Sequence, residues 1–303
     1  MNDKLIRGLL MEGSVNMTMI SGRELVEAAR QAHGLSHVMT AALGRLLMQT
    51  AMMSAQLKSK TDNITVIFDG DGPAGRLVAV GREGGVVKGY ADDPSVELPL
   101  NGKGKLDVSG AVGKRGELRV IRDLSLKEPY VGRCPITDGE IANDFANYFF
   151  TSEQQPSLVY LGVRVDPASG AVRAASGLLI QPLPFCPERD IAALEAKASE
   201  IPALTKMLEE GFEAEDALIE LLGELHPEFT EKLEPRFMCD CSRQKIEAAL
   251  VSLGRDELAD MIEKDGGAEL TCRFCGSRYV FNKEELTSLL EYASSGGAED
   301  ADR

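Results

Sequence analysis

The chain has 303 residues, of which 44% are hydrophobic and 27% are charged, a composition typical of soluble globular proteins. Its formal net charge is −15, the wrong sign for a protein that gains affinity by releasing counterions from DNA or RNA, so nucleic acid is disfavoured as the main ligand. No apolar run approaches the roughly 18 residues of a membrane helix, and the N-terminus lacks the pattern of a secretory signal, so we expect a cytoplasmic protein without a membrane partner.

The first sixty residues predict a strand region followed by two helices. Leu5–Ile20 alternates apolar residues and indicates a strand or hairpin. Ser21-Gly22-Arg23-Glu24 has the spacing of a capping box, which predicts a helix that Gly34 ends. A second helix is predicted from Ser36 to about Leu57, and its methionine-rich apolar spacing favours a buried core helix.

Short β-rich runs separated by glycines follow up to residue 126. The predicted strands are Ile64–Phe68, Arg76–Val80, Val86–Tyr90, Ala111–Val112 and Glu117–Asp123. Because no helix intervenes, the spacing favours antiparallel pairing. Residues 70–75 lack the Gly-Lys-Ser/Thr ending of a phosphate loop, so we interpret them as a hairpin turn.

The rest of the predicted N-terminal domain, residues 1–183, contains a helix and a hairpin. Thr137-Asp138-Gly139-Glu140 has capping-box spacing and predicts a helix through Phe149. Leu158–Val165 and Ala171–Ile180 are predicted strands, joined by a turn at residues 166–170. Three prolines within residues 182–187 then disfavour both helix and sheet and mark the domain boundary.

Residues 184–234 are predicted to form a helical, acidic linker. From Pro187 to Glu234 the sequence has 14 acidic and 4 basic residues. The predicted helices are Pro187–Ala198, Pro202–Leu208 and Ala214–Leu225. Isolated helices of this length are marginal in water, so the linker must dock on another part of the chain, and we expect the cysteine region that follows to hold it.

Four of the six cysteines lie in a predicted C-terminal domain, residues 235–292. Cys239 and Cys241 form a first pair with one intervening residue, and Cys272 and Cys275 form a second pair with two. Four thiolates in two short chelating pairs match the tetrahedral donor set of one closed zinc site. Between and after the pairs we predict helices at 243–253 and 256–264, a strand at 276–281, a helix capped at Asn282, and a disordered tail, residues 293–303.

The spacing of these cysteines leaves two interpretations open. In the first, one zinc ion permanently folds a domain too small to be secure on its apolar core. In the second, the same thiolates also sense oxidants, because thiolates are the reactive form of cysteine and neighbouring pairs can close to disulfides through a sulfenic acid.

Catalytic functions are disfavoured. Four cysteines fill the tetrahedron that a catalytic zinc keeps partly open. A thioredoxin-like oxidoreductase would place its cysteine pair near a βαβ pattern, which is absent around Cys272. Cys134 and Cys186 are isolated, and we interpret both as small buried hydrophobic residues. The sequence contains no Ser/His/Asp arrangement and no Walker motif, so we predict that the protein is not an enzyme.

The cysteine block behind an acidic helical linker resembles the redox-regulated 33 kDa heat-shock protein family, bacterial zinc-dependent holdase chaperones. The resemblance extends over nearly the whole chain, from residue 4 to Tyr292, and the cysteine block is its most specific part. Further matching segments are Thr40-Ala41-Ala42-Leu43-Gly44-Arg45, Gly70-Asp71-Gly72-Pro73, Val87-Lys88-Gly89-Tyr90 and Gly177-Leu178-Leu179-Ile180-Gln181.

The resemblance implies a reduced, zinc-bound, inactive state and an oxidised, zinc-free, active one. Cys239, Cys241, Cys272 and Cys275 would bind one zinc ion when reduced. On oxidation, Cys239 would join Cys241 and Cys272 would join Cys275. The linker would then unfold, the protein would form a homodimer, and unfolded client proteins would be held without ATP under oxidative stress. The alternative is a constitutive zinc-stabilised protein-binding module without a redox switch.

Overall fold

The chain divides into two compact units, Met1–Met238 and Cys239–Arg303. The structure, a computed structural model, describes residues 2–294. Both units mix helices with antiparallel strands, so the predicted α+β fold class is confirmed. The segment expected to be a linker, residues 184–234, lies within the first unit.

Two sheets build the first unit. The strands of the first sheet are β1 (Lys4–Leu10), β2 (Val15–Ser21), β8 (Leu158–Val165), β9 (Val172–Pro182) and β10 (Glu228–Leu233). Their order is β10-β1-β2-β9-β8, and all neighbours are antiparallel. The strands of the second sheet are β3 (Asn63–Gly70), β4 (Arg76–Arg82), β5 (Val86–Ala91), β6 (Gly116–Asp123), β7 (Tyr130–Pro135) and β11 (Arg236–Phe237). Their order is β11-β5-β4-β3-β6-β7, and only β11 and β5 pair in parallel.

The buried centre of the first unit is the helix α2 (His37–Ser54). The Ser36 hydroxyl caps it by accepting a hydrogen bond from the Met39 N–H at 3.2 Å. The helix packs against strands of both sheets, and the fit is tight: a Cβ added to Gly89 would lie 2.9 Å from the Leu47 side chain. The prediction of a buried core helix here is confirmed.

The helix α1 (Arg23–His33) exists as predicted, but its cap differs. Gly34 ends it in the left-handed conformation, with φ of 60°, where glycine avoids the steric cost of a side chain. The predicted capping box at residues 21–24 is wrong, because Ser21 belongs to β2. Instead, the buried Asp3 carboxylate accepts hydrogen bonds from two N–H groups of the first helical turn, at 3.0 and 2.7 Å.

Around the second sheet, one strand prediction is wrong and one strand was missed, both for local reasons. Ala111–Val112 lies in a short helix, α3 (Val108–Val112), because the Asp107 carboxylate caps it by accepting from the Gly110 N–H at 3.0 Å. The edge strand β7 was not predicted, since its sequence includes a glycine and a proline, both depleted in strands.

The helix α4 (Ala142–Ser152) confirms the predicted aromatic helix but begins after the predicted capping box at residues 137–140. The fully buried Asp144 performs the capping. Its carboxylate accepts from the N–H groups of Thr137 and Ile141, at 2.7 and 3.1 Å. The preceding loop is therefore tied to the first turn of the helix.

Three short helices cover one face of the five-stranded sheet, close to the predicted positions. They are α5 (Glu188–Lys197), α6 (Ala203–Glu209) and α7 (Ala214–Leu222). Their buried side chains include Leu194, Leu204, Ala217, Leu218 and Leu222, which form one cluster with Ile6, Leu10, Met17, Met19, Leu178 and Ile180 of the sheet. The expectation that these helices dock on the cysteine region is corrected, because the five-stranded sheet supplies the apolar surface on which they dock.

Polar contacts fix the same helices on the sheet. Thr205 of α6 is buried, and its Oγ1 lies 2.7 Å from both the Tyr160 hydroxyl and the Ser176 Oγ. The Lys4 ammonium of β1 is 3.1 Å from the Glu215 carboxylate of α7. The strand β10 was not predicted, so the segment expected to be wholly helical ends as an edge strand paired with β1.

The second unit is small. Its elements are α8 (Arg243–Ser252), α9 (Arg255–Asp260), a π-helical turn (Met261–Asp265), the strands β12 (Gly267–Thr271) and β13 (Arg278–Asn282), and α10 (Lys283–Ser294). Its buried apolar side chains, among the described residues, are Leu250, Leu258, Ile262, Phe281 and Leu286. The predicted helices are confirmed, whereas β12 was not predicted.

The last helix has the predicted capping box. The Asn282 side chain accepts from the Glu285 N–H, and the Glu285 carboxylate accepts from the Asn282 N–H, both at 2.9 Å. The tail predicted to be disordered, residues 293–303, lies outside the described residues from 295 onward, while Ala293 and Ser294 belong to α10. Within residues 2–294, no helix has both the length and the apolar character needed to cross a membrane.

Candidate metal centre

The first cysteine pair lies where the second unit begins, just before α8. Ser242 follows Cys241 and caps α8 by accepting a hydrogen bond from the Lys245 N–H at 3.3 Å. The Lys245 ammonium is also paired with the Asp240 carboxylate between the two cysteines. The start of the helix therefore fixes the backbone of the first pair.

The second pair lies in the turn between β12 and β13. The Cys272 N–H donates to the Ser277 carbonyl at 2.9 Å, and the Gly276 N–H donates to the Cys272 carbonyl at 2.8 Å. Gly276 has φ of 72°, a left-handed conformation that glycine adopts without steric cost. This tight turn brings the two thiols of the pair together.

The structure brings all four predicted ligands to one point. Their sulfur atoms all lie within 4.8 Å of one another. The Cys239 and Cys272 sulfurs are 3.7 Å apart, and the Cys241 and Cys275 sulfurs are 3.4 Å apart. Zinc–sulfur bonds of about 2.3 Å in a tetrahedron place the sulfurs about 3.8 Å from one another. The donor set and its spacing therefore fit one zinc ion, and all six cysteines are free thiols.

The local environments give the thiols of the centre different pKa values. Burial raises the pKa of the Cys239 thiol to about 12. At Cys275 burial also acts to raise the pKa, but hydrogen bonds with the side chain and backbone of Ser277 outweigh it, and the pKa is lowered to about 7. Several thiolates packed together repel one another, which a divalent cation would compensate.

Three residues that sequence reasoning missed surround the cysteines. The Tyr279 hydroxyl donates to the Cys241 sulfur at 3.1 Å, and this contact raises the pKa of the tyrosine to about 12. The Ser277 hydroxyl is 3.2 Å from the Cys275 sulfur. Both precede Phe281 at intervals of two along the predicted strand, so the strand periodicity was the signal that could have placed them on one face.

The third missed residue, Arg243, links the first pair to the small core. Its guanidinium lies 4.2 Å from the centre of the Phe281 ring. It also donates to the Val280 carbonyl at 3.1 Å and to the Glu285 carboxylate at 2.6 Å. The start of α8 is thus bound to both β13 and α10, so the fold of the second unit and the position of the cysteines depend on each other.

The two other cysteines lie apart from the centre, in the first unit. Cys134 is buried as predicted, and burial raises its pKa to about 11. Cys186, also predicted to be buried, is only half-buried and packs against the cluster beneath α5–α7. Neither belongs to the four-sulfur group.

Comparison with known proteins covers both units. The family model described as Hsp33 protein matches residues 3–282. The 33 kDa chaperonin of Alkaliphilus metalliredigens is 43% identical over 96% of this chain and 99% of its own length, and that of Clostridioides difficile is 42% identical over the same shares. The chain belongs to the Hsp33 family.

A solved structure agrees with this Hsp33 assignment. The crystal structure of the 33 kDa chaperonin from Thermotoga maritima superposes with a TM-score of 0.89 at 39% sequence identity. The match covers 97% of this chain and all of the other. The predicted family resemblance is confirmed, and membership of the Hsp33 family identifies the chain as a chaperone.

Proposed function

We propose that this Hsp33-family chain is an ATP-independent holdase chaperone that oxidation activates through its four-cysteine zinc centre. The observation that carries the proposal is the group of four sulfurs within 4.8 Å of one another, set in a unit with few buried apolar side chains. The fold of such a unit depends on a bound metal ion, and binding of the metal ion depends on reduced thiols.

The proposed chemistry uses the neighbours within each pair. When bound, the zinc ion holds the four cysteines as thiolates and stabilises the fold around them. Oxidation of Cys239 with Cys241, and of Cys272 with Cys275, removes all four donors. The proximity of the sulfurs supports disulfide formation but is compatible with more than one pairing, so this pairing rests on the family resemblance.

A comparison of free energies supports a loss of fold after oxidation. Structural zinc contributes roughly 10–16 kcal/mol of folding free energy in small zinc-binding peptides, whereas the net stability of a whole domain is about 5–15 kcal/mol. The small core of the second unit, in which Phe281 is the only buried aromatic among the residues up to 294, cannot replace such a contribution. We expect this unit to unfold when the zinc is lost.

The client-binding surface we propose is the apolar sheet face beneath α5–α7. These helices, within the proposed linker of residues 184–234, bury side chains such as Met17, Met19 and Ile180. If the linker unfolds, that face becomes exposed, and exposed contiguous apolar surface binds unfolded polypeptides or a second copy of the chain. Unfolded clients and an oxidised homodimer are therefore the proposed partners, and the reducing cytoplasm is the proposed compartment.

Aggregation of a thermally unfolded client protein tests the proposal. The chain is assayed reduced and zinc-loaded, and again after treatment with peroxide under mild heat, with zinc release followed by a colorimetric chelator. We expect the oxidised chain to suppress aggregation and the reduced chain not to. Equal suppression in both states, with the metal retained, would favour the alternative of a constitutive zinc-stabilised binding module.

A further inference from the structure

A short segment at the end of the first unit, residues 234–238, lies in a groove between a sheet edge and a helix. We call this segment the strap. Its strand β11 is the outermost strand of the six-stranded sheet and runs parallel to β5, with Phe237 opposite Val87. The Met238 N–H donates to the Val87 carbonyl at 2.8 Å. The strap therefore covers the edge of β5 through main-chain hydrogen bonding.

Few side chains of the strap contribute to its docking. Phe237 is partly buried and packs against the core around α2. Its ring meets the His33 ring of α1 edge-on, with 6.1 Å between the ring centres. Pro235 is also buried, whereas Glu234, Arg236 and Met238 are exposed. The groove thus holds the strap by its backbone and by two apolar side chains.

The groove is wider than the strap requires. A cavity of about 300 Å³ lies between the strap and the N-terminal half of α1. Its lining includes Leu25 and Ala28 of α1 and Pro235 and Phe237 of the strap. The groove has room for larger side chains than those of the strap, so it does not demand this particular sequence.

The proposed function implies that the strap leaves the groove in the active state. The strap joins the linker, residues 184–234, to Cys239, and the segments on both sides of it unfold in that state. A strand of only two residues makes too few contacts to offset the conformational entropy lost when its backbone is fixed. Its departure exposes the edge of β5 together with the apolar wall that Phe237 contacts.

We infer that the groove between β5 and α1 is a second client-binding site, which takes an extended segment of an unfolded protein in place of the strap. The inference rests on the proposed function. A free sheet edge binds extended chains through main-chain hydrogen bonds that do not depend on sequence, and pockets for alternate side chains add selectivity. The client segment pairs with β5 and places an aromatic or large aliphatic side chain where Phe237 lies.

A fluorescein-labelled peptide of residues 232–238 tests this by fluorescence anisotropy. We expect it to bind the oxidised, zinc-free full chain and not the reduced, zinc-loaded chain, and an unfolded client protein should displace it. The matched peptide carrying Phe237→Asp should bind at least about tenfold more weakly, because it buries no phenylalanine ring. A full chain carrying Phe237→Asp, whose own strap competes less, should bind the wild-type peptide more tightly than the oxidised wild-type chain does.

Photo-cross-linking locates the bound client. A photoreactive amino acid replaces Lys88, which follows the buried Val87 on β5 and points to the other face of the sheet. The matched control replaces Tyr130 of β7, which is 51% exposed at the opposite edge of the same sheet. We expect clients to be captured from position 88 in the oxidised chain only, and not from position 130 in either state.

The outcomes separate this inference from the switch. If the oxidised chain suppresses client aggregation but binds both peptides alike, or captures clients equally from both positions, the groove is not a client site and the switch remains. Capture of a second copy of the chain from position 88, in place of the client, would overturn the inference and make the groove a dimer contact. If the oxidised chain does not suppress aggregation, the proposed switch fails and the inference fails with it.

Discussion

At the scale of single residues, each cysteine of the centre supplies one of four donors. We expect Cys272→Ser to lower zinc affinity by more than about 100-fold, since even loss of a group that only supports a ligand costs 10–100-fold. The second unit should also melt at lower temperature without any oxidant, because metal binding and folding are coupled. Competition with a zinc chelator measures the affinity, and circular dichroism measures the melting.

The matched control for that variant is Cys186→Ser. Cys186 is half-buried in the first unit and lies outside the four-sulfur group. The substitution Cys186→Ser should therefore leave the zinc affinity unchanged. A Cys272→Ser chain that bound zinc as tightly as this control, with the same melting profile, would show that the four-thiolate assignment is wrong.

Asp3 predicts a pH dependence at the cap of α1. Burial raises the pKa of its carboxyl from 3.8 to about 6. A carboxyl whose pKa is higher in the folded chain than in the unfolded chain stabilises the fold fully at pH values below its unfolded pKa. That stabilisation is lost as the pH rises through its folded pKa. Asp3→Asn has no such titration, so the stability of the wild type relative to the variant should fall by about 3 kcal/mol between about pH 4 and pH 7.

Urea unfolding of both proteins at several pH values measures this difference, because effects of other titrating groups cancel in the comparison. A difference that stays constant across the range would mean that the Asp3 carboxyl titrates alike in the folded and unfolded chain. Its hydrogen bonds to α1 would then fully offset the cost of burying the carboxylate.

Residue roles were predictable where the chemistry is local in the sequence. The grouping of the two cysteine pairs could be predicted, because ligand type and short spacing within each pair indicate a metal site. Asp3 could not be recognised as a cap, since its partners lie 21 and 22 residues away. Tyr279 and Arg243 were missed for the same reason: their contacts with Cys241 and Glu285 exist only once the second unit has folded.

At the scale of elements, the docked helices α5–α7 are the part of the first unit whose removal exposes apolar surface. Leu218 of α7 is fully buried against the sheet. We expect Leu218→Ala to destabilise the docked helices by about 2–5 kcal/mol. A reduced chain carrying it should therefore suppress client aggregation partly, before any oxidation.

The adjacent residue provides the control. Ile219 is 52% exposed, so Ile219→Ala on the same helix should change stability by less than about 0.5 kcal/mol and leave the reduced chain inactive. Limited proteolysis within residues 188–225 reports the helix release directly. Equal cleavage of the two variants would argue against docking through Leu218.

Elements with a clear hydrophobic period or turn signal in the sequence were predicted. Strands that are recognisable only by their pairing with a distant strand were not. Helices α5–α7 follow from apolar spacing, and the β8–β9 hairpin follows from its turn sequence. Strand β10 was missed because three of its six residues are charged, and only pairing with β1 identifies it as an edge strand. The surface under α5–α7 was assigned wrongly because helical periodicity shows that a face is apolar but not what covers it.

At the scale of the whole molecule, the candidate metal centre belongs to one unit and the covered apolar surface to the other. The sequence joins them directly, since β10 and β11 lead into Cys239. We propose that zinc-dependent folding of the second unit restrains the end of the linker, and that loss of this restraint lets α5–α7 leave the sheet. Oxidation at the cysteines is therefore expected to change the structure of residues 188–225.

Hydrogen exchange of the backbone amides in α5–α7 tests that claim most directly. The reduced, zinc-loaded chain is compared with a chain that has lost its zinc and gained both disulfides under mild heat. We predict that the amides of residues 188–225 lose their protection from exchange on oxidation, while those of β2 and β9 keep theirs. Full protection of α5–α7 in the oxidised, zinc-free chain would contradict it.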